Sequence, residues 1–298
     1  EATARVTCEV PYAENPLNTR NKRSLRIDVT KASPAAGAGV SNSGYWGIPV
    51  KQGADYHLSF AARRGEGADI PLTATLESKD GKVYASASLS VTTTTWSTLS
   101  STLKSAANDT DARLVLRANA PGTVCLDMVS LFPAATWKGR PNGLRQDLAK
   151  MMEDLAPAFV RFPGGCWVEG DTMKESYRWK ETVGPLQERR TQWNIWGYWA
   201  THGLGYHEYL QLCEDLKAGP LFCINVGMSH KENVPMDRMG EYVQDALDAI
   251  EYAKRIPQKV VLIDGAMLAG LMIDFGIGVT AVATYAVKRL DIDYFGLE

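Results

Sequence analysis

The chain has 298 residues, 45% of them hydrophobic and 22% charged, which excludes a disordered chain and is enough for two domains with real cores. Thirty-two Lys and Arg against 34 Asp and Glu leave a formal charge of -2. The basic field that nucleic acid or an anionic membrane demands is therefore missing, and a neutral partner fits better.

In chain order, the opening EATARVTCEV has neither a basic n-region nor an apolar h-region, so a signal peptide is expected to be absent or already removed and the compartment stays open. From 24 to 132 come short alternating runs bounded by Gly, Asn, Asp and Ser: SLRIDV, GYWGIPV, DYHLSFAARR, PLTATLES, KVYASASLSV, STLSSTL, ARLVLRA and TVCLDMVSLF. Even spacing without an intervening helical period predicts a β-sandwich, jelly-roll-like, over residues 1–133. Tyr45 and Trp46 inside GYWGIPV read as core residues of that sandwich, with exposed stacking platforms, Trp96 among them, as the alternative.

After Pro133 the period changes. Residues 143–156 place Leu144, Leu148, Met151, Met152 and Leu155 on one helical stripe, and AFVRF follows as a strand. GYHEYLQLCEDLKAG predicts a helix closed by Gly219, followed by the buried-type strand PLFCINVG. MGEYVQDALDAIEYAKRI and KVVLID repeat the pair. Helices alternating with apolar strands predict βα units on a mainly parallel sheet, with ligands bound beyond the carboxyl ends of the strands, where FPGG and GMSH fall. The apolar window 266–287 is interrupted by Asp274, Gly276 and Gly278, which predicts helix, turn and strand rather than a membrane span.

The stretch FVRFPGGCWVEGDT, residues 159–172, carries the candidate mouth. Gly164 and Gly165 let the backbone turn and let a ligand approach. The loop that follows is long, and it holds Trp167, Trp179, Trp193, Trp196 and Trp199 with Tyr177 and Tyr198. Rings beside carboxylates, Arg and Asn suit a sugar, whose apolar C–H faces stack and whose hydroxyl edges hydrogen-bond. About half of these rings would instead cap the sheet. Glycoside hydrolysis needs two carboxyl groups about 5 Å apart, or roughly 6.5–9.5 Å for inversion. Glu169, Asp171 and Glu208 are the candidates, with Glu181 and Glu188 also near and most of these carboxylates expected to be solvated or paired with Arg178, Arg189 and Arg190. His202, His207 and His230 show no HxH or HExxH spacing, and Cys8, Cys125, Cys166, Cys213 and Cys223 no CxxC pair, so neither a metal site nor a cofactor is expected.

SLRIDV, GVSNSGYWGIPVKQGADYHLSF, LRQDLAKMMEDLAPAFVRFPGGCWVEGD, YRWKETVGPLQERR and WNIWGYWATHGLGYHEYLQLCEDLKAGPLFCINVGMS together resemble α-L-arabinofuranosidases of glycoside hydrolase family 51, over about residues 24–253. The resemblance implies a carbohydrate-binding-module-like sandwich (1–133) followed by a partial (β/α)8 barrel (134–253), retaining chemistry by two glutamates, and arabinose- or xylose-containing polysaccharide as partner. It implies that Cys166 lines the sugar subsite and that Trp196 packs near the arabinose, which with Gly164, Gly165 and Trp167 of the mouth gives the candidate substrate-binding residues, and it is compatible with an extracellular or periplasmic setting. The family's acid/base glutamate sits in a Gly-Asn-Glu motif, and no such tripeptide occurs here. The first barrel strand and the nucleophile strand are likewise expected outside this chain. From about 254, KRIPQKVVLIDG…YAVKRLDIDYF resembles the C-terminal end of Mrr-type restriction endonucleases without their catalytic elements, which makes the chain look like a junction of two genes. Three or four βα units cannot close an eight-stranded barrel, so an open sheet with an exposed edge is expected, and that edge is the candidate surface for a homo-oligomer.

Overall fold

The computed structural model describes residues 2–8 and 14–254, together with the backbone of strand 261–264. The rest of the restriction-endonuclease-like tail, 254–298, and the apolar window 266–287 lie outside the described residues. Two compact units divide at Ala149 and Lys150.

In the first unit the alternating runs pair into two antiparallel sheets. One has the order β1-β2-β10-β5-β8, formed by Thr3–Cys8, Leu25–Lys31, Gly122–Pro133, Asp55–Arg64 and Ser97–Lys104. The other has the order β3-β9-β6-β7, formed by Ala38–Asn42, Asp109–Ala118, Ile70–Glu77 and Val83–Val91, with β4 (Ile48–Val50) alongside β9. The period of two does what it predicts. Tyr56, Leu58, Phe60 and Ala62 of β5 point into the core with Ile70, Leu72, Ala74 and Leu76 of β6 and Ala112, Leu114, Leu116 and Ala118 of β9. All eight runs contain strands. The pattern did not predict β1 or β3. β3 is five residues long and mostly solvated, so it lacks the apolar alternation that marks its neighbours. Tyr45 and Trp46 are 89% and 87% exposed, with ring centroids 4.8 Å apart, so they are not core residues: Gly44 and Gly47, both at positive φ, turn the chain outward around them.

In the second unit β11 (Phe159–Phe162), β14 (Gly219–Ile224) and β15 (Val261–Asp264) form a parallel sheet in the order β11-β14-β15. Between β11 and β14 lie the short α2 (Cys166–Glu169), the two-stranded hairpin β12 (Gln192–Trp193) and β13 (Trp199–Ala200), and α3 (Tyr206–Leu216); α4 (Gly240–Ala253) links β14 to β15. The sheet is open among the described residues, with β11 at its edge. Tyr206, Tyr209, Leu210 and Cys213 of α3 and Ala246, Ala249 and Ala253 of α4 share one core with Phe222 and Ile224 of β14. Burial pushes the Cys213 thiol up to about 11, which makes it an inert core group. α3 closes on Lys217 in the left-handed conformation, φ 57°, and Gly219 already belongs to β14, correcting the predicted Gly219 stop.

The stripe predicted over 143–156 forms α1 (Gln146–Asp154), but it does not bury its apolar side. Leu148, Met151, Met152 and Leu155 are exposed and only Ala149 of the helix is buried. Phe159 on β11 is 60% exposed as well. Among the described residues no helix is long and apolar enough to cross a membrane.

Candidate functional site

The carboxyl ends of β11 and β14, adjacent and parallel, set the site. Phe162 pairs in register with Phe222, so the chain leaving β11 at Pro163 and the chain leaving β14 at Asn225 emerge side by side. The Phe162–Pro163 bond is cis, and Gly164 follows at φ 84° with the Arg161 guanidinium packed where a Cβ would stand, 2.5 Å away. The guanidinium is the far end of a flexible side chain and could shift, so the positive φ is the physical reason for glycine here. Gly165, at φ 56°, opens α2 and places Cys166 and Trp167 at its first turn.

Asn225 locks the two loops together. Its Nδ2 donates to the carbonyls of Val168 (2.9 Å) and Met228 (2.8 Å), while its Oδ1 accepts from the Gly227 amide at 2.7 Å. The next turn then lays the His230 amide on the Gly170 carbonyl at 3.0 Å and the Lys231 amide on the Asp171 carbonyl at 3.1 Å.

Above the mouth stands an aromatic wall. Trp167 lies nearly parallel to Trp196 (centroids 6.4 Å, planes 16° apart) and to Tyr198 (6.4 Å, 24°). Trp196 and Tyr198 are presented by the turn of the β12–β13 hairpin, which the buried Asn194 holds: its Oδ1 accepts from the Trp196 amide at 2.9 Å and its Nδ2 donates to the Tyr198 carbonyl at 2.7 Å. Trp167 and Tyr198 line a cavity of about 430 Å³ with Phe162, Pro163, Ala200 and His202. Trp196 and Tyr198 keep 58% and 54% of their surface exposed, whereas Tyr177 and Trp179 of the same loop are core residues. The rings of this loop thus divide between exposed and core positions.

The carboxylates are committed to protein partners. Glu169, 12% exposed, pairs with His230, Oε2 to Nε2 at 2.9 Å. Asp171 pairs at the surface with Lys231 at 2.6 Å. Glu208 accepts the Gly205 amide at 2.9 Å as the third residue of α3, and the Arg189 guanidinium takes both its oxygens at 2.9 and 2.7 Å. Burial would raise the Glu208 carboxyl, but these donors outweigh it and hold it below its usual range. Glu181 pairs with Arg190. His202 is buried beside Trp167 and Tyr177; burial first, then the Arg190 charge, pushes its imidazole down to about 4, so it is neutral at the pH of most cells.

Cys166, Glu169 and His230 bring one ligand atom each within 4.8 Å of one another. Pattern reading had set His230 aside because no short spacing links it to a second ligand. Only the pairing of β11 with β14 does so. Asn194, Asn225, Tyr198 and His202 also went unremarked as a set. The WNIWGY run, two Trp and a Tyr around an Asn-x-x-Gly turn, was the one local signal for them.

The described chain thus places a β-sandwich before a parallel β/α sheet, with rings and carboxylates at the carboxyl ends of its strands. Comparison makes the relation specific. Residues 151–262 match the family described as alpha-L-arabinofuranosidase 1 domain, and residues 12–123 match the carbohydrate binding domain family. The chain is 41% identical over 246 residues to alpha-L-arabinofuranosidase 1 of Arabidopsis thaliana, covering 79% of this chain and 35% of that one. It is 38% identical over 263 residues to an extracellular exo-alpha-L-arabinofuranosidase of Streptomyces chartreusis, covering 83% and 30%. Its fold superposes on an arabinose-bound α-L-arabinofuranosidase of glycoside hydrolase family 51 with a TM-score of 0.85 at 27% identity, covering 98% of this chain and 51% of that one. The chain therefore carries an arabinofuranosidase-type α/β domain and a carbohydrate-binding-type sandwich, and it spans about a third of the length of the curated relatives it matches.

Proposed function

We propose that this chain is the sugar-recognising portion of a glycoside hydrolase related to α-L-arabinofuranosidases, taking an arabinofuranosyl or xylosyl unit of a plant cell-wall polysaccharide at the FPGG mouth. The observation that carries this is the Trp167–Trp196–Tyr198 wall over the cavity at the end of β11. Furanose and pyranose C–H faces stack on such rings while the hydroxyl edges turn toward backbone and polar groups. Gly164 and Gly165 give close approach, and Cys166, Trp167 and Trp196 contact the ring.

Hydrolysis by these 298 residues alone is not part of the reading. A retaining pair needs one carboxylate free to attack and one able to donate a proton. Asp171 and Glu208 are held in ion pairs, the Glu169 carboxylate lies 2.9 Å from the His230 ring nitrogen, and no Gly-Asn-Glu tripeptide is present. In this reading the domains are 1–133 for the sandwich, 134–253 for the partial barrel and 254–298 for a restriction-endonuclease-type tail that brings no nuclease chemistry. The formal charge of -2 speaks against nucleic acid and anionic membrane as partners.

Titration with arabinose and with arabinoxylan oligosaccharides, followed by tryptophan fluorescence, tests the binding. Saturable quenching that Trp196→Ala abolishes supports it; a flat titration refutes it. Release of the aryl group from an aryl arabinofuranoside, lost in Glu169→Gln, would refute the non-catalytic part.

A second reading, glycan binding by the sandwich, has its own observation. A cleft of about 590 Å³ is lined by Arg63, Trp96, Asn15 and Glu66, with the Arg63 guanidinium 5.4 Å over the Trp96 ring. Affinity electrophoresis on soluble xylan and arabinan, with Trp96→Ala as comparison, separates it from the first reading.

A further inference from the structure

Cys166 and Glu169 stand three residues apart on α2, on one side of the turn. His230 is delivered to them from the loop after β14 by its amide bond to Gly170 and by the Asn225 bridge to Val168. Sγ, a carboxylate oxygen and a ring nitrogen thus lie within 4.8 Å of one another, and the carboxylate and imidazole are already 2.9 Å apart. Metal–ligand bonds of about 2.0–2.3 Å in a tetrahedral site require donors about 3.3–3.7 Å apart. The Cys166 side chain has one rotatable bond with which to take up the remaining distance, while the Asn225 hydrogen bonds hold the Val168 carbonyl of α2 against the loop after β14.

We propose that Cys166, Glu169 and His230 bind a zinc ion that staples α2 to the loop after β14. The donor set selects the metal. One thiolate, one imidazole and one carboxylate match zinc, whereas magnesium and calcium take oxygen donors. Two anionic ligands and a neutral imidazole balance a divalent charge. Three protein ligands leave a fourth position for water or a sugar hydroxyl, as in open rather than closed zinc sites. Glu169 is 12% exposed and His230 36%, so the pair is shielded on one side and reachable from solvent on the other, which provides the entry path. Binding breaks the Cys166 S–H bond and releases that proton to solvent, and any proton on His230 leaves as well. Zinc affinity therefore falls as pH falls. The proposal does not depend on the sugar reading: metal binding with no glycan binding would sink that reading alone, and glycan binding with no metal binding would sink this one.

The test uses the full chain, stripped with a chelator and titrated with cobalt(II) alone. One equivalent should produce a thiolate-to-cobalt charge-transfer band in the near ultraviolet and the intense visible bands of tetrahedral cobalt, both erased by added zinc. Cys166→Ser should remove the charge-transfer band, and Cys166→Ser, Glu169→Gln and His230→Gln should each weaken zinc binding at least ~10-fold, with circular dichroism unchanged. Alkylation by iodoacetamide, followed by mass spectrometry, serves should a variant fail to fold. In the unaltered chain zinc should slow modification of Cys166 at least ~10-fold, with the buried Cys125, Cys213 and Cys223 as internal references. Absence of the charge-transfer band in the unaltered chain, an equal band in Cys166→Ser, or a Cys166 alkylation rate indifferent to zinc would each overturn the assignment.

Discussion

The sandwich and the α/β unit solve the same problem of burying apolar faces in different ways. Each strand face of the sandwich meets an opposing sheet, and the inward positions of β5, β6 and β9 are almost uniformly sealed. In the α/β unit α3 and α4 seal one part of the sheet, while the stripe of α1 and Phe159 at the β11 edge remain exposed. A carboxylate knotted by arginine in each unit shows the same contrast. In the sandwich Glu77, 2% exposed, accepts from Thr75, Arg113 and Arg117, a knot built on two adjacent strands. In the α/β unit Glu208 and Arg189 tie a loop to the start of a helix, with Arg189 also donating to the carbonyls of Gly184 and His202. One knot reinforces a sheet that alternation already specifies; the other shapes the chain that carries the aromatic wall.

Two substitutions probe this contrast most forcefully. Phe60→Ala leaves a cavity between the two sheets and is expected to cost about 3–5 kcal/mol, lowering the denaturant midpoint of the sandwich transition alone. Arg189→Ala strands Glu208 and two carbonyls and is expected to cost a comparable 3–5 kcal/mol or about that, in the other transition. Intrinsic tryptophan emission distinguishes the two, because the first unit holds Trp46, Trp96 and the buried Trp137 while the α/β unit holds the five tryptophans from Trp167 to Trp199. Both substitutions shifting a single common transition would break the comparison.

Acid should separate the units next. The folded pKa of His202, pushed down to about 4 from 6.5, means that the unfolded chain binds its proton first as pH falls. The stability that neutral His202 contributes is present above 6.5 and is lost between 6.5 and about 4, on the order of 3 kcal/mol from the α/β unit. In the sandwich, burial alone would raise the Glu77 carboxyl, but its Arg117 and Thr75 bonds hold it below its usual 4.5, so that contribution is lost only below the 4.5 of the unfolded chain. Asp127 runs the other way: burial raises its pKa, so acid relieves rather than adds to the cost of folding it. The α/β unit is therefore expected to unfold at the higher pH. Urea titrations between pH 7 and 4 check this, and His202→Gln should flatten the slope of the α/β transition; an unchanged slope sinks the assignment.

How much of this was legible in the sequence differs between the units for a physical reason. A strand with one face in a core announces itself by alternation, and the eight runs of the sandwich did so. β3 did not, since its burial pattern is mostly solvent. In the α/β unit the helices and parallel strands were readable from period and apolar run, and FPGG and GMSH fell at the carboxyl ends of neighbouring strands as the topology requires. What periodicity cannot supply is which loop residues meet. Glu169 and His230 come together through strand adjacency and the Asn225 hydrogen bonds, and Glu208 turned from a candidate acid into a helix-start residue once Arg189 was seen across from it. The stripe on α1 was legible as helical while its exposure was not, because periodicity says which way a helix would face a core, not whether a core is there.

That stripe supports the smallest and most diagnostic prediction. Leu148, Met151 and Leu155 are 53%, 65% and 79% exposed, so replacing Met151 and Leu155 by Lys should change stability by no more than ~0.5 kcal/mol each. A larger loss, above ~1 kcal/mol by urea denaturation, would mean that these side chains are covered in solution. The β11 edge bears on the same question from the other side. Among the described residues β11 is an open parallel edge carrying a Phe159 that is 60% exposed, a template for a second strand. Self-association through it should appear as a concentration-dependent mass in light scattering, reduced by a Phe159→Lys charge at the edge and left intact by the α1 substitutions. A monomer at high concentration in the unaltered chain would show that the edge is not used, and a dimer abolished by Leu155→Lys would move the interface to the helix.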